Sequence, residues 1–330
     1  DLSRGFNLES GPLLRVQVLR EAERQFAVVW SFHHILMDGW CHHILQDELF
    51  AFYEGFRRGE APVLAPAAQY RNYVNWLGSQ DRDTARRYWQ EYLSGFGGPV
   101  GLPGKRVAAT GGGLPSHQRV QWSMGLSGGL QGLAQSWGVT LSSVFQGLWG
   151  VLLCRLQGRE EVVFGATVSG RPGSLPGIEG LVGLCINAVP VRVRLAGMAD
   201  MRSLCLRMQA EFGEGQAYHY YPMRDEGGAD LFDHVLTCQN YPRSQRDEHG
   251  QGGLQVEFVR GFEHFPQALT LQIFPGARLE LDLNYDPGRV PTEAVEQLIR
   301  KLEALALEVM AQPERPLEEL GLEPRINRSQ

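Results

Sequence analysis

The chain has 330 residues, of which 43% are hydrophobic and 21% charged, and its formal net charge is −6. This composition predicts a globular protein large enough for two lobes, and it lacks the positive charge that nucleic-acid binding requires. No apolar run is long enough to span a membrane, and the N-terminus is not a signal peptide. Five scattered cysteines without a C-x-x-C pair predict free thiols in a cytoplasmic protein.

The two ends of the chain predict a piece of a longer polypeptide. The chain begins within about a strand's length of a catalytic-looking motif. The last residues run from Pro313 into a polar tail, and such stretches are usual at domain boundaries.

The elements before the motif are two strands, predicted over 13–19 and 25–32 with a turn between them. The second strand is almost wholly apolar, so we expect it to be covered on both faces. Apolar positions at helical spacing then predict a helix over 39–56. A polar loop between a buried strand and a helix is a common place for catalytic groups.

Strands and helices alternate through the rest of the chain, which predicts an α/β (α+β) fold. The glycine-rich passage 95–113 is the predicted connection between two lobes. The predicted helices are 83–93, 129–136, 141–156, 201–217 and 292–310. The predicted strands are 119–124, 161–168 and 188–193, followed by a hairpin of 269–273 and 279–283 about Pro275-Gly276.

Four histidines, two of them adjacent, lie within eleven residues of the predicted loop and helix: His33, His34, His42 and His43. Adjacent residues on an extended backbone point to opposite faces, and the H-E-x-x-H pattern of a zinc helix is absent. We therefore expect no metal. His42 and His43 fall in the predicted helix and are interpreted as surface or half-buried side chains.

The pair His33-His34 has a structural and a catalytic interpretation. Two loop histidines could simply be satisfied by hydrogen bonds. However, they end a very apolar strand, and Asp38-Gly39 turns the chain directly into a helix. An imidazole accepts protons near neutral pH, and N–H groups at a helix start favour developing negative charge. We interpret Asp38 as structural, an acid anchored to a buried arginine.

The run Ser31 to Trp40 resembles the H-H-x-x-x-D-G core of condensation domains in nonribosomal peptide synthetases. Further segments resemble that family's motifs in the right order: Tyr70 to Trp76, Phe164 to Pro172, Gly180 to Pro190, Cys238 to Pro242 and Asn284 to Asp286. Departures from the usual residues occur at Asn72, Cys185 and Ala188, and at His42 and His43. The resemblance covers essentially the whole chain.

The resemblance implies two chloramphenicol-acetyltransferase-like lobes in a V-shaped pseudo-dimer, with the N-terminal lobe only partly present. Residues 1–90 are then the second part of the N-terminal lobe, 91–312 the C-terminal lobe, and 313–330 a linker toward an adenylation domain. The missing part of the N-terminal lobe, from this polypeptide or another chain, should cover the strand over 26–32, which otherwise keeps an unpaired edge or a bare apolar face.

The implied reaction is peptide-bond formation between a donor thioester and the amine of an acceptor aminoacyl thioester. Upstream donor and downstream acceptor carrier proteins deliver both on phosphopantetheine arms, and no bound cofactor or membrane is implied. By resemblance, His34 is the catalytic residue, and His33, Asp38 and Gly39 support it. Arg155, Arg171 and Arg192 are the candidates to pair with Asp38. The candidate tunnel residues are Trp40, Ser169, Arg171, Asn187, Asn240 and Tyr241.

The motif resembles most closely the subtype that joins an L-configured donor to an L acceptor. An epimerisation-type relative differs after Asp-Gly and around 183–190, and a cyclising relative has aspartates in place of the histidines. Plant-type acyltransferases carry a late D-F-G-W-G, which this chain lacks. The alternatives are an epimerisation-type relative and, from another class, a non-catalytic module that recruits partner proteins to a megasynthase.

Overall fold

The structure is a computed structural model that describes residues 4–98, 101–102, 115–223, 231–240, 256–257, 259, 261, 263 and 265–321. Contacts divide the chain into two compact units. Unit 1 holds the described residues of 1–80, 169–186 and 241–259, and unit 2 holds those of 81–168, 187–240 and 260–330. Each unit is built from both helices and strands, so the α/β prediction is confirmed.

Unit 2 is built on a six-stranded mixed sheet in the order β3-β8-β7-β6-β4-β5. Its strands are β3 (Ser116–Gln121), β4 (Glu161–Val168), β5 (Asn187–Arg194), β6 (His234–Cys238), β7 (Leu269–Phe274) and β8 (Glu280–Tyr285). β4 pairs with β6, and β6 with β7, in parallel, whereas the predicted β7–β8 hairpin is antiparallel with Leu271 opposite Leu283. The central strands are buried, which explains their continuous apolar runs.

Unit 2 contains the helices α3 (Arg82–Leu93), α4 (Met124–Trp137), α5 (Leu141–Gln157), α6 (Met201–Gly215) and the last helix, here α7 (Thr292–Ala311). Four of these five helices begin at a side-chain cap, and the last one follows Pro291 without such a cap. The Thr140 hydroxyl accepts the Ser143 amide at the start of α5, and Asp200 and Ser203 form a reciprocal capping box on α6. α5 is buried from Ser143 to Cys154 and forms the centre of the core, as its apolar sequence predicts.

Unit 1 contains an antiparallel pair of strands, β1 (Leu14–Ala22) and β2 (Gln25–Phe32), and two helices, α1 (Cys41–Arg58) and α2 (Tyr70–Gly78). The prediction that β2 is covered on both faces is wrong for this chain. Phe26 is 55% exposed and Val28 60%, and among the described residues β1 is the only strand that pairs with β2. The expectation of a bare apolar face on this strand is confirmed.

The boundaries of several elements differ from those predicted. β3 ends at Gln121 and α4 begins at Met124, because Ser123 caps that helix through the Leu126 amide. α2 and β6 were not predicted. The first segment of unit 1 ends at residue 80, and Ala85 and Trp89 of α3 pack with Tyr221 in the core of unit 2. The lobe boundary near residue 90 stays a prediction.

The segment 169–186 joins β4 to β5, two paired strands of unit 2, but belongs to unit 1 itself. Most of the glycine-rich passage 95–113 and the end of the predicted linker, 322–330, lie outside the described residues. Within the described part, no single helix is long and apolar enough to cross a membrane; α4 and α5 pass that test only together, across a 106° bend.

Candidate active site

The histidine motif begins where β2 ends. The His33 amide donates to the carbonyl of Leu13 at 2.9 Å, which ties the loop to the start of β1. The chain then makes a single 3-10 turn over His34–Leu36, and His33 Nδ1 accepts the Ile35 amide at 3.1 Å. His33 therefore uses one ring nitrogen to shape its own loop.

His34 is oriented differently from its neighbour. Its side chain is exposed, and within the described residues its imidazole makes no hydrogen bond. Its backbone carbonyl accepts the Met37 amide at 3.3 Å, which closes the turn. An imidazole without a protein partner is available to accept a proton from, or to orient, a group on a substrate.

The loop is fixed at its other end by Asp38, whose side chain is completely buried. Asp38 Oδ1 accepts from the Arg171 guanidinium at 2.9 Å, and Oδ2 accepts the amides of Cys185 at 2.9 Å and Ile186 at 3.3 Å. The carboxylate is thus hydrogen-bonded on both oxygens and shielded from water. Hydrogen bonds to both oxygens and complete burial are typical of a structural carboxylate.

Arg171 is the buried partner of that carboxylate, with 4% of its side chain exposed. Its other donors reach the carbonyls of Ile178 at 3.0 Å and Leu181 at 2.9 Å, and the Trp40 ring lies 5.4 Å from its guanidinium carbon. Burial opposes its charge, but the Asp38 carboxylate outweighs that effect and raises the pKa of Arg171. The Arg171 guanidinium is therefore charged at physiological pH.

Of the three arginines proposed as partners, Arg171 makes this ion pair. Arg155 donates to the Leu317 carbonyl, and Arg192 pairs with Glu161 and the carbonyls of Tyr92 and Ser94. Both contacts lie within unit 2.

Two tyrosines of α2 hold the segment that carries the Cys185 and Ile186 amides. The Tyr70 hydroxyl donates to Leu184 O at 2.6 Å, and the Tyr73 hydroxyl donates to Cys185 O at 3.1 Å. Gly183 lies flat on the Tyr70 ring, where a Cβ would come within 2.1 Å of a ring carbon. α2 therefore positions the amides that Asp38 accepts.

Gly170 is a second position that only glycine fits. Its φ is +60°, and an added Cβ would come within 1.7 Å of Cys185 O. This contact brings the start of segment 169–186, which carries Ser169 and Arg171, against the backbone near the end of the same segment.

The remaining candidate residues have other contacts. Trp40 is half-buried and donates from Nε1 to Glu179 O at 2.9 Å. The exposed Ser169 hydroxyl accepts the Arg171 amide at 3.5 Å. In unit 2, Asn187 Nδ2 donates to the carbonyls of His219 and Tyr221, and Asn240 is exposed. Tyr241 lies outside the described residues.

The first two amides of α1 do not face open space. Cys41 N donates to Asp38 O at 3.0 Å and His42 N to Gly39 O at 3.3 Å, so the expectation that helix-start amides receive developing charge is wrong for these two. His42 and His43 are half-buried, as predicted. Burial lowers the pKa of His42, and the nearby His34 adds to that shift.

Sequence reasoning assigned no role to Cys41, Tyr70, Tyr73 or Gly183, which build the support around Asp38. Both tyrosines belong to the segment Tyr70 to Trp76, which resembles a family motif. Their i, i+3 spacing could have indicated that both side chains lie on one face of a helix. Within the described residues, no group of three or more His, Cys, Asp or Glu side chains could hold a metal ion.

The chain is similar in sequence to known proteins over nearly its whole length. The family model described as Condensation domain matches residues 1–329. Bacitracin synthase 3 of Bacillus licheniformis is 33% identical over 98% of this chain, and the chain spans 5% of that protein. Surfactin synthase subunit 3 of Bacillus subtilis (strain 168) is 32% identical over 98% of this chain, which spans 26% of it.

Solved structures share the fold at low sequence identity. The X-domain from teicoplanin biosynthesis superposes with a TM-score of 0.81 at 18% identity, covering 96% of this chain and 76% of that one. The first condensation domain of the calcium-dependent antibiotic synthetase, in complex with a substrate analogue, has a TM-score of 0.73 at 16% identity, with 94% and 70% covered.

Proposed function

The chain belongs to the condensation-domain family of peptide synthetases, and we propose that it forms an amide bond between two carrier-bound substrates, with His34 at the reacting amine. Condensation domains of this family are amide-forming acyltransferases. The observation that carries the proposal is an exposed His34 imidazole on a loop held at both ends, at His33 by Leu13 and at Asp38 by Arg171.

In the proposed step, the α-amine of the acceptor aminoacyl thioester attacks the carbonyl carbon of the donor thioester. The new C–N bond forms, the C–S bond to the donor arm breaks, and the donor arm leaves as a thiol. The amine loses one proton, which His34 accepts or directs. The two anchors keep that imidazole in one place, which lowers the entropic cost of the reaction.

The partners follow from the same proposal. The donor and acceptor arrive on the phosphopantetheine arms of upstream and downstream carrier proteins, and an adenylation domain follows the linker over 313–330. Support comes from the curated relatives, which are peptide synthases many times the length of this chain. The five cysteines, all free thiols, accord with a cytoplasmic location.

We assign the chain to the subtype that joins an L-configured donor to an L acceptor, on the sequence His33 to Cys41. Trp40, Ser169, Asn187, Asn240 and Tyr241 remain proposed substrate-contacting residues. The guanidinium of Arg171 is buried, and its two terminal nitrogens donate to Asp38 and to carbonyls of its own segment, which favours a supporting role over a substrate contact for that candidate.

The bare face of β1 and β2 supports a further part of the proposal. Val16, Val18, Phe26 and Val28 are each more than half exposed, and apolar surface of this extent on a sheet normally packs against another layer. We propose that additional residues of the N-terminal lobe, outside 1–330, cover this face in the synthetase.

The second candidate is a non-catalytic module that recruits a partner protein. One similar solved structure, with a TM-score of 0.80, is a complex of the X-domain and OxyB from teicoplanin biosynthesis, so the fold itself is compatible with such a module. At 19% identity that similarity shows the fold alone. Both histidines of the motif are present in this chain, which favours the catalytic function.

The test uses the intact synthetase that contains this domain, with its carrier domains loaded with donor and acceptor. A dipeptidyl thioester on the acceptor carrier, detected by mass spectrometry, is the expected product. Donors of L and D configuration are compared, and the L donor is expected to react faster. No dipeptide from any loaded pair, together with binding of a partner protein, would establish the recruiting module instead.

A further inference from the structure

A thiol lies at the junction between the histidine loop and segment 181–186. Cys41 is the first residue of α1, three residues after Asp38, and its side chain is fully buried. Its Sγ lies 3.3 Å from Asp38 Oδ1 and 3.5 Å from a guanidinium nitrogen of Arg171. A thiol here contacts both members of the buried ion pair.

The same sulfur contacts both backbone groups of Gly183. The Gly183 amide donates to Sγ at 3.3 Å, and the Gly183 carbonyl lies 3.4 Å from Sγ. The Tyr70 ring covers the Cα of this glycine. Gly183 is thus held between an aromatic ring from α2 and a thiol from α1.

The thiol can both donate and accept in this position. Burial raises the pKa of Cys41, so the group stays protonated. Its single proton points to Asp38 or to Gly183 O, while the sulfur accepts from Gly183 N and Arg171. Each hydrogen bond to sulfur is weak, but with the Leu181 carbonyl at 3.9 Å the buried atom has five polar neighbours, and such a network specifies its position.

We propose that Cys41 is a positioning residue of the histidine loop, which acts through Asp38 and Gly183 to hold His34 in its reactive place. The inference rests on the proposed function. Leu13 holds the start of the loop through the His33 amide, and the Asp38 end is set by Arg171, Cys41 and the amides of 185 and 186. Loosening this end displaces His34, and a displacement near 1 Å can cost on the order of 10²-fold in rate.

The test compares Cys41→Ala with Cys41→Ser in the intact synthetase. Both variants lose the volume of sulfur, but only serine keeps a donor and an acceptor at the same place. We expect alanine to lower kcat about tenfold with KM for either loaded carrier unchanged, and serine to keep most of the parent kcat. Cys205→Ala, an equally buried thiol in the core of unit 2, is the matched control and should leave kcat unchanged.

Hydrogen–deuterium exchange of the peptide covering 181–186 gives a readout that does not depend on catalysis. Exchange should rise in Cys41→Ala and stay at the parent rate in Cys41→Ser. If the alanine variant does not fold, Cys41→Val replaces it, since valine restores volume without hydrogen bonds.

Two results would overturn the proposal: an alanine variant with the parent kcat, or serine and alanine variants equally impaired, which would show that volume alone matters. A parent enzyme that makes no dipeptide would instead contradict the proposed function. In that case the exchange of 181–186 still decides whether Cys41 holds the segment.

Discussion

The Arg171 guanidinium lies 2.9 Å from the Asp38 carboxylate, and both side chains are almost completely buried. Arg171 comes from the segment that joins β4 to β5, whereas Asp38 ends the loop that carries His34. The ion pair therefore ties two parts of the chain that are 133 residues apart.

Removing either partner of this ion pair should destabilise unit 1 strongly. Asp38→Asn and Arg171→Met should each lower the free energy of unfolding by about 3–5 kcal/mol, because each leaves a buried charge without its partner. The double variant should cost clearly less than the sum, since neither charge remains. Denaturant unfolding of the four proteins measures this; strictly additive losses would mean that the two groups do not interact.

Gly170 should be intolerant of any side chain, and Gly173 is its matched control in the same segment. Gly170→Ala combines a φ of +60° with a Cβ only 1.7 Å from Cys185 O, so the loss should be at least about 2 kcal/mol. Nothing lies within 4 Å of a Cβ at Gly173, so Gly173→Ala should change stability by less than about 0.5 kcal/mol. Equal melting temperatures for the two variants would refute the packing described for Gly170.

Acid should destabilise unit 2 through His219. Its ring packs against Phe212 with centroids 4.8 Å apart, and burial lowers its pKa to about 4. The unfolded chain binds a proton at its ordinary pKa of about 6.5, so stability is full above that pH and falls as pH drops from about 6.5 toward 4.

The loss attributable to His219 in that range should be on the order of 1–3 kcal/mol. His219→Gln should flatten the stability profile between these pH values relative to the parent. Unfolding curves at pH 7, 6, 5 and 4 make the comparison, and parallel profiles for the two proteins would argue against a buried neutral imidazole.

The bare face of the two-stranded sheet should drive self-association of the chain of residues 1–330. Val18 and Val28 lie directly opposite each other, at 62% and 60% exposure. Replacing both with threonine keeps strand propensity while removing apolar surface, so association should weaken and stability should change by less than about 0.5 kcal/mol. Sedimentation at increasing concentration is the measurement.

Val191→Thr is the control for that experiment. Val191 is 4% exposed in the core of unit 2, so the substitution should destabilise the fold without reducing association. Parent and double-threonine chains that sediment alike as monomers would contradict the idea that this face needs a cover.

Most helices and strands could be predicted because their periodicity of apolar residues is visible in the local sequence. The alternation about Pro275-Gly276 predicted the β7–β8 hairpin, and the unbroken apolar stretch of α5 predicted a buried helix. α2 was missed because its nine residues are short and its aromatic side chains serve contacts with segment 181–186 rather than a regular stripe.

The burial of β2 was misjudged for a different reason. An apolar strand shows that some partner must cover it, but the pattern does not say whether the partner lies in the same chain. Among the described residues, β1 alone pairs with it.

The sequence predicted which residue types make up the candidate site, but not which distant residues contact them. The motif singled out His34 and Asp38, and an arginine partner was expected for the acid. The choice of Arg171 over Arg155 and Arg192 depends on a contact across 133 residues, which no local pattern encodes. The role of Cys41 was hidden for the same reason, since its partner Gly183 is 142 residues away.

The central claim is that His34 acts on the reacting amine. Its most direct test is the single-turnover rate of dipeptide formation by the intact synthetase, with both carriers loaded, in the parent, His34→Ala and His43→Ala proteins. We predict that His34→Ala slows the step by about 10²–10⁴-fold while His43→Ala retains the parent rate. A His34→Ala rate within about twofold of the parent would contradict the claim.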